Sequence, residues 1–553
     1  MRLADTSDLW WKTAVLYCVD VAKYLDDNGD GTGDLVGITR RVDYLEELGV
    51  TCLWLMPFYT SPKRDNGYDV ADFYGVDPAV GTAGDLVELI RTARDRGIRV
   101  IVDLVVNHTS DQHPWFQNAR ESRDSRYRDF YVWSDEVPED TRETMFPGVE
   151  DGVWEWDERT EQYYLHSFYR HQPDLNVANP RVREELAKVM GFWLEVGVSG
   201  FRVDAVPSFV SSPWRREPER DHDVLRTLRR FAQRRASDAM LLGEVNLPHE
   251  DQLEYFGHEG TGELHMQFDF PLNQALYLAL ARQNPEAVRA VLTGRPDIPA
   301  TSQWANFVRN HDELSLDQLT DDEREEVFAV FAPEEDQRVF DRGIRRRLPP
   351  MLGGDPRRVR MVYSLLFSLP GTPVLFYGEE IGMGENLAVP ERDAVRTPMQ
   401  WTSADDAGFS SAPADDFPLP LAEGPWGPRH INVEDQLVDP DSLWSHVAHL
   451  AKTYRHSPEI GWGRLDDLDT DAEQVLAHSC TSELGRFVAV HHFGEAPVTV
   501  HVRLGGDEPE GTVLVDLADG AHVTLDDGVA TFDLAAYGAR RLQVRRPGDG
   551  RLR

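Results

Sequence analysis

The chain is poor in cysteine, lacks long apolar runs and carries far fewer basic than acidic residues. Its 553 residues include three cysteines, Cys18, Cys52 and Cys480, an odd and sparse set that argues against a disulfide framework. No apolar run reaches the roughly 18 residues that a membrane-spanning helix needs. The first residues, MRLADTSDLWWK, lack the basic stretch and apolar run of a signal peptide, so we expect a cytoplasmic protein.

The charge balance argues against several classes of partner. There are 96 acidic against 57 basic residues, which gives a formal net charge of −39 at pH 7. A polyanion repels nucleic acid and anionic membranes, so we expect neither as a partner and instead expect a neutral small-molecule substrate. The composition is compatible with a homo-oligomer and does not decide the oligomeric state. Hydrophobic residues make up 41% of the chain, enough for a large core, and the length exceeds that of one ordinary domain.

Short apolar runs alternate with amphipathic stretches through most of the chain. The stretches VDYLEELGV, DLVELIRTARDRG and VREELAKVMGFWLEVG have the periodicity of helices, and the apolar runs between them are typical of buried parallel strands. The predicted strands are 14–19, 51–57, 98–108, 200–206, 240–245, 303–310 and 372–378. Eight such units close into a barrel, so the predicted fold is α/β, a (β/α)8 TIM barrel with further modules.

Changes in composition divide the chain. Residues 1–108 and 172–463 are predicted to form the two parts of the barrel domain, and the aromatic, charged stretch 109–171 an inserted small domain. Residues 313–356 are strongly acidic and are predicted to be a helical, lid-like insertion. Residues 464–553 change to short alternating runs, which predict an antiparallel β-sandwich.

Acidic side chains lie at the carboxyl ends of three of the predicted strands. Arg202 and Asp204 alternate in GFRVDA, Glu244 follows an apolar strand in LLGEVN, and His311 and Asp312 end FVRNHDE. One such carboxylate alone can be a helix N-cap or a solvated loop residue. Three of them, at the strand ends where barrel enzymes carry their active sites, favour a catalytic centre.

Glycoside cleavage explains this set of residues. The reaction passes through an oxocarbenium-like transition state, and a retaining enzyme uses one carboxylate as nucleophile and a second, protonated carboxyl as acid, ~5–5.5 Å apart. A neighbouring cation such as Arg202 keeps Asp204 ionised. Glu244 needs a raised pKa, which nearby carboxylates favour.

At this point the residues resemble a known family. DLVVNH, GFRVDA, GEVN and VRNHD are similar, in order and spacing, to the four conserved regions of the α-amylase superfamily, glycoside hydrolase family 13. The resemblance implies a (β/α)8 barrel with a domain B after the third strand and a β-sandwich domain C. It implies Asp204 as nucleophile, Glu244 as acid/base and Asp312 as transition-state stabiliser. Family substrate-binding positions match His108, Arg202 and His311.

Further motifs resemble the exo-acting oligo-1,6-glucosidase and trehalose synthase branch, in which a closed pocket admits one glucose at a chain end. They are QPDLN, DNGYD and RTPMQW. In that branch a small residue after the nucleophile accompanies α-1,4 rather than α-1,6 action. The resemblance therefore adds substrate-binding positions at Asp65, Tyr68, Phe146, Phe168, Gln172, Ala205 and Arg396.

Longer stretches, among them WFQNAR, GTGELHM and EEIGMG, are most similar to trehalose synthases. The resemblance implies isomerisation of maltose to trehalose with side hydrolysis, acting on maltose, trehalose and short α-glucans. Two stretches depart from that pattern, TMFPGVEDGVWEWDERTEQYY and VNLPHE after Glu244. An exo-acting α-1,4-glucosidase is therefore the alternative. A third hypothesis, a binding protein without activity, is disfavoured because all three carboxylates are present.

The loop DDNGDGTGD resembles the Ca²⁺ loop of this branch, and no organic cofactor is expected. Oxygen ligands at alternating positions, separated by glycine, suit a hard cation, although an Asx-rich turn explains the same pattern. Asn107 with Asp174 is a second candidate metal pair. The expected Ca²⁺ ligands are Asp26, Asn28, Asp30, the Thr32 carbonyl and Asp34.

Overall fold

The computed structural model describes residues 9–138, 144–210, 222–258, 261–505 and 508–548. Its centre is a closed barrel of eight parallel strands, each bonded to its sequence neighbours, with the last pairing to the first. This confirms the predicted TIM barrel. The strands are β1 (Leu16–Val19), β2 (Cys52–Leu55), β3 (Arg99–Leu104), β4 (Gly200–Val203), β5 (Met240–Gly243), β6 (Met266–Phe268), β7 (Gln303–Phe307) and β8 (Thr372–Phe376).

The barrel strands are apolar on both faces because helices cover them outside and side chains fill them inside. All four residues of β1, β2, β4 and β5 are buried. The barrel closes where Leu16 pairs with Val374. Each of the predicted strands contains one barrel strand. The remaining barrel strand, β6, was not predicted, because three residues are too few to show a periodicity.

Helices surround the barrel. A capping box between Thr82 and Asp85 starts one of them, and Gly197, in a left-handed conformation, ends another before β4. The longer helices of this layer are Val42–Leu48, Ala83–Asp95, Pro180–Val196, Asp223–Arg235, His249–Phe256, Phe270–Arg282, Glu286–Gly294, Pro356–Leu366 and Leu443–Arg455. Shorter helices are Val21–Tyr24, Leu35–Arg40, Val206–Val210, Leu348–Met351, Val433–Val438 and Glu459–Trp462.

Two segments extend from the end of the barrel that carries the carboxylates. After β3 come the helix Pro114–Ala119 and a three-stranded antiparallel sheet of Trp133–Ser134, Gln162–Leu165 and Trp154–Asp157. After β7, the helix Asp321–Phe331 accompanies a sheet of three two-residue strands, Leu314–Ser315, Gly343–Ile344 and Arg338–Val339. The acidic composition of segment 313–356 predicts a helical insertion, but the segment is not purely helical, because parts of it pair as strands.

The C-terminal part is antiparallel, which confirms the predicted β-class of this region. Six strands form one sheet and two form another, with an apolar core between them. Within the described part of the chain, no helix is long and apolar enough to cross a membrane. The strands are Arg464–Asp467, Val475–Ser482, Gly485–His492, Val498–Arg503, Val513–Asp516, His522–Thr524, Val529–Leu534 and Ala539–Arg545.

Candidate active site

Arg202 joins two of the three predicted catalytic carboxylates. Asp204 lies directly after β4 and Glu244 directly after β5, and these strands are paired in parallel. Arg202 Nη1 lies 2.5 Å from Asp204 Oδ1, and its Nη2 lies 2.8 Å from Glu244 Oε2. The same guanidinium contacts Asp103 Oδ1 at 2.7 Å. One buried cation thus holds the nucleophile and acid candidates side by side.

The environment gives these two carboxyls different proton affinities. Burial raises the pKa of Asp204 to about 6, although Arg202 opposes the rise. Burial raises the pKa of Glu244 further, to about 7, with the charges of Asp204 and Asp312 adding to the effect. At a pH between these values Asp204 is mainly ionised and Glu244 mainly protonated, which is the division of states that a retaining glycosidase needs.

Asp312 has the opposite environment. Its Oδ1 accepts from Arg392 Nη1 at 2.7 Å and from Arg396 Nη2 at 2.9 Å, and its Oδ2 lies 3.0 Å from His311 Nε2. Burial favours the neutral acid, but His311 and the two guanidinium groups outweigh it and hold the pKa of Asp312 well below its usual range. Asp312 is therefore ionised near neutral pH and faces the other two carboxyls.

A cavity of about 320 Å³ lies above these groups. Phe146 and Phe168 form part of its wall, with ring centroids 6.1 Å apart. Tyr68 is stacked on His311, and its hydroxyl lies 2.9 Å from His311 Nε2. Of the predicted site residues, those that line the cavity are Asp65, Tyr68, His108, Phe146, Phe168, Asp204, Ala205, Glu244 and Asp312.

Four predicted substrate-binding residues lie buried behind this lining. Gln172 Nε2 donates to Asp65 Oδ2 at 2.9 Å, so it orients a lining residue. Arg396 is 0% exposed and donates to the His311 carbonyl oxygen as well as to Asp312. Arg202 and His311 are also buried. All four residues therefore contact and orient the residues that line the cavity.

Arg392 is a lining residue that the sequence patterns do not reveal. Its Nη2 lies 2.7 Å from Asp65 Oδ1 while its Nη1 contacts Asp312, and its guanidinium stacks on Phe146 with 5.3 Å to the ring centroid. It thereby bridges two acidic lining residues. It occurs in ERDAVRTPMQW, four residues before the predicted Arg396, where no periodicity distinguishes the two arginines. Asp103, inside the DLVVNH motif, was likewise not identifiable as a partner of Arg202.

Ala205 has an unusual backbone conformation. Its φ is 45°, in the left-handed region, and its N–H donates to Glu244 Oε2 at 3.0 Å. A β-branched residue is strongly disfavoured there, whereas a small residue is tolerated. The turn after Asp204 thus disfavours a β-branched residue and fixes the orientation of Glu244.

The loop 26–34 folds around its own acidic side chains. Asp26 accepts the N–H groups of Gly29 and Gly31 at 2.7 and 2.8 Å, and Asp34 accepts that of Gly37 at 2.7 Å. Asn28 and Asp30 are exposed and accept from the backbone of Asp30 and Thr32. In the described ranges, no three His, Cys, Asp or Glu side chains are grouped so that they could hold a metal ion.

The second candidate metal pair is bonded within the protein. Asn107 Nδ2 donates to Asp174 Oδ1 at 3.0 Å, and the Ser167 hydroxyl donates to Asp174 Oδ2 at 2.5 Å. These bonds tie β3 to the chain that returns from the inserted segment.

Several known proteins are similar to this chain. A trehalose synthase from Pimelobacter sp. is 41% identical over 551 residues, covering 94% of each chain. A trehalose synthase/amylase from Mycolicibacterium smegmatis is 43% identical and covers 86% of this chain and 81% of the relative. An alpha-glucosidase from Pediococcus pentosaceus is 32% identical, covering 89% of this chain and 93% of the relative. The crystal structure of an alpha-amylase from H. orenii matches with a TM-score of 0.78 at 28% identity, covering 97% of this chain and 100% of the other.

Two domain families match separate parts of the chain. A sucrose hydrolase-like C-terminal domain matches residues 485–543. The alpha amylase catalytic domain matches residues 21–332 and 345–463, which include all three carboxylates and most of the chain. The chain therefore belongs to the α-amylase family, glycoside hydrolase family 13.

Proposed function

We propose that this enzyme isomerises maltose to trehalose by moving a glucosyl unit through a covalent glucosyl-enzyme, with some hydrolysis to glucose. The observation that carries the proposal is the 41–43% identity to trehalose synthases over most of the chain, against 32% to the alpha-glucosidase. Trehalose and short α-glucans are further substrates of the same site. The α-1,4-glucosidase activity remains the alternative, since it shares every step up to the intermediate.

In the first step, the Asp204 carboxylate attacks the anomeric carbon while Glu244 gives its proton to the departing glycosidic oxygen. The C–O bond to the second glucose breaks and an ester bond to Asp204 forms. Asp65 and Arg392 lie together at the cavity wall and would hold the hydroxyls of the transferred glucose. Asp312, held ionised by Arg392 and Arg396, would stabilise the positive charge that develops on the sugar ring.

In the second step, the acceptor decides the product. Glu244, now ionised, takes a proton from the 1-hydroxyl of the released glucose, whose oxygen attacks the anomeric carbon. The bond from that carbon to Asp204 breaks, which frees the carboxylate and forms trehalose; the same attack by water gives glucose. Retaining the released glucose favours transfer. Arg342 Nη2 donates to the Met145 carbonyl oxygen at 2.9 Å, and Phe340 packs on Phe146 with 5.0 Å between centroids. These contacts join the two inserted segments beside the cavity and would restrict escape of glucose and entry of water.

Incubation of the purified enzyme with maltose tests this proposal. Trehalose and glucose are separated and quantified from the earliest time points, and the reverse reaction is started from trehalose. We expect trehalose to exceed glucose and trehalose to return maltose. Release of glucose alone from maltose, with trehalose left intact, would identify an α-glucosidase instead.

The two raised pKa values predict a bell-shaped dependence of kcat/KM on pH. Activity should rise as Asp204 ionises, near pH 6, and fall as Glu244 loses its proton, near pH 7, so the maximum lies between these values. Because the two carboxyls interact, the limbs report the pair. Initial rates at low maltose concentration across pH 4–9 measure the profile. A rate that keeps rising above about pH 8 would contradict the assignment of Glu244 as the acid.

We propose that the small Ala205 favours α-1,4 over α-1,6 linkages. Its side chain borders the cavity, and an α-1,6 linkage inserts a rotatable carbon that seats the second sugar differently. In Ala205→Val, the ratio of kcat/KM for maltose to that for isomaltose should fall by ~10-fold or more, within the ~10–200-fold range of one or two methyl groups.

The ratio is the appropriate readout because valine at a φ of 45° strains the backbone and lowers both rates. Ala205→Gly is the matched control, since glycine accepts this φ and adds no bulk. It should keep the preference for maltose. A wild-type preference for isomaltose, or an equal ratio in Ala205→Val and wild type, would refute the role of this side chain.

We propose that the loop 26–34 binds a structural Ca²⁺ through Asp26, Asn28, Asp30, the Thr32 carbonyl and Asp34. The support is a set of oxygen groups at alternating positions, with Gly29 and Gly31 in left-handed conformations that bend the loop around them. The N–H bonds that these carboxylates accept are compatible with a metal, since each carboxylate oxygen has a second lone pair.

Treatment with a chelator should then lower the melting temperature by a few degrees, because an ion that binds only the folded chain stabilises it. Initial rates with maltose should change less, since the loop contains none of the predicted catalytic residues. Asp30→Asn keeps an oxygen for the Thr32 N–H but removes a charge, so Ca²⁺ should raise its melting temperature less. Equal melting temperatures of chelated wild type with and without excess Ca²⁺ would exclude the site.

A further inference from the structure

A second cavity, of about 350 Å³, lies beside the active site and is similar to it in volume. It is bounded by the segment after β1, by residues 57–67, and by Asp393, Pro418 and Leu419. None of the steps above uses it. Its charged lining residues are Asp20, Lys23, Lys63, Arg64, Asp77 and Asp393.

One stretch of chain separates the two cavities. Asp65 and Tyr68 line the active-site cavity, whereas Lys63, Asn66 and Gly67 line the second one. Lys63 and Asn66 have φ values of 62° and 48°, and this left-handed backbone is part of what turns alternate residues to opposite sides. Asn66 Nδ2 also donates to Asp393 Oδ1 at 2.9 Å, which fastens this wall to the segment that carries Arg392.

The charges around the second cavity are balanced. The lining contains three basic and three acidic side chains. Lys23 Nζ lies 2.5 Å from Asp20 Oδ2, and Lys63 Nζ lies 3.4 Å from Asp77 Oδ2. An ionic ligand would have to disrupt these pairs, whereas a neutral ligand need not.

The same lining suits a polyhydroxylated ligand. The ammonium groups offer donors and the carboxylates offer acceptors, so each hydroxyl can find a partner of either kind. Pro57, Pro418 and Leu419 supply apolar surface between the polar groups. This mixture of hydrogen-bonding groups and apolar patches matches the alternating hydroxyls and C–H groups of a sugar.

We propose that the second cavity is a non-catalytic binding site for a neutral polyol of monosaccharide size, for which D-glucose is the probe. It holds none of the three catalytic carboxylates, so a sugar bound there is not turned over. The proposal does not depend on whether the enzyme transfers or hydrolyses.

The experiment first blocks the active site and then measures glucose binding. Enzyme is treated with 5-fluoro-α-D-glucosyl fluoride, whose fluoride leaves as the carboxylate forms a slowly hydrolysed glycosyl ester. Complete trapping is verified by the intact mass, and a separate product analysis with maltose tests the function. Equilibrium dialysis with labelled D-glucose then measures the positions that remain, which are the acceptor position of the active site and the second cavity. The intact mass is measured again afterwards, so that transfer of the trapped group to glucose is detected. We expect two glucose molecules per trapped chain.

Two variants locate that site. Ala22→Phe introduces a large side chain at a half-buried residue of the cavity lining. Lys63→Ala removes the ammonium group that pairs with Asp77, together with the aliphatic part of the lysine side chain. Each should weaken one of the two glucose-binding events in the trapped enzyme by about tenfold or more and leave the other unchanged. Ala187→Phe, a matched change on the helix Pro180–Val196, should bind glucose like the trapped wild type.

Absence of any glucose bound beyond the acceptor position in fully trapped wild type would overturn the proposal. So would wild-type affinity in folded Ala22→Phe and Lys63→Ala, which would assign the glucose to another surface. Stronger binding of inorganic phosphate than of glucose at the same residues would contradict the neutral-ligand assignment.

Discussion

Asp204→Asn should reduce kcat/KM for maltose by roughly 10⁴-fold or more, the scale of loss when a covalent nucleophile is removed. A neutral amide cannot form the glycosyl ester, so neither trehalose nor glucose can be produced by the two-step route. The substitution preserves the size of the side chain, and Arg202 keeps Asp103 and Glu244 as partners. The loss should therefore appear in turnover while the enzyme stays folded.

Product formation from maltose and thermal unfolding are measured on the same preparation. Asp103→Asn is an informative control because Asp103 also contacts Arg202 but does not line the cavity with Asp204. It removes a neighbouring charge without removing the nucleophile, and we expect it to lose much less activity than Asp204→Asn. Retention of substantial activity in Asp204→Asn, after contamination with wild type is excluded, would refute the assignment.

Glu244→Gln should lose ~10²–10⁴-fold in activity on maltose, the usual contribution of a general acid. Glutamine cannot protonate the departing oxygen, but its amide oxygen can still accept the Ala205 N–H. With an α-glucosyl fluoride, the leaving group needs little protonation and the glucosyl-enzyme should still form. The second step then lacks its base, so the intermediate should accumulate.

Azide distinguishes this loss from simple misfolding. As an anionic nucleophile it needs no base, so it should attack the intermediate of Glu244→Gln and release α-glucosyl azide with an increased rate. The alkaline limb of the pH profile on maltose reports the proton on Glu244, so it should be absent from the residual activity of Glu244→Gln on maltose. If azide neither accelerates the variant nor appears in a product, Glu244 is not the acid/base.

The sequence predicts that the three carboxylates converge, for a physical reason. Asp204, Glu244 and Asp312 all follow apolar runs, and parallel strands in a barrel bring their carboxyl ends to one face. Once the runs are recognised as strands, the side chains that follow must converge. Arg202, two residues before Asp204, and His311, directly before Asp312, are then brought to the same face.

The sequence patterns do not predict features that depend on loops and short strands. Arg392 meets Asp312 from a loop 80 residues further along the chain, and neither spacing nor polarity indicates that contact. The two-residue strands within 313–356 are too short for any periodicity, so the acidic composition alone predicted a helical segment. The left-handed turn at Ala205 likewise follows from the fold around the nucleophile rather than from local propensity.

In the proposed mechanism, the glucosyl ester on Asp204 is the intermediate from which both trehalose and glucose arise, so its direct identification is the most decisive measurement. Enzyme treated with 5-fluoro-α-D-glucosyl fluoride is digested at low pH, and the modified peptide is sequenced by mass spectrometry. We expect one added fluoroglucosyl group per chain, on Asp204 within GFRVDA, with loss of activity in proportion to labelling. A label on Glu244 or Asp312, or full activity in a chain labelled on Asp204, would contradict the mechanism.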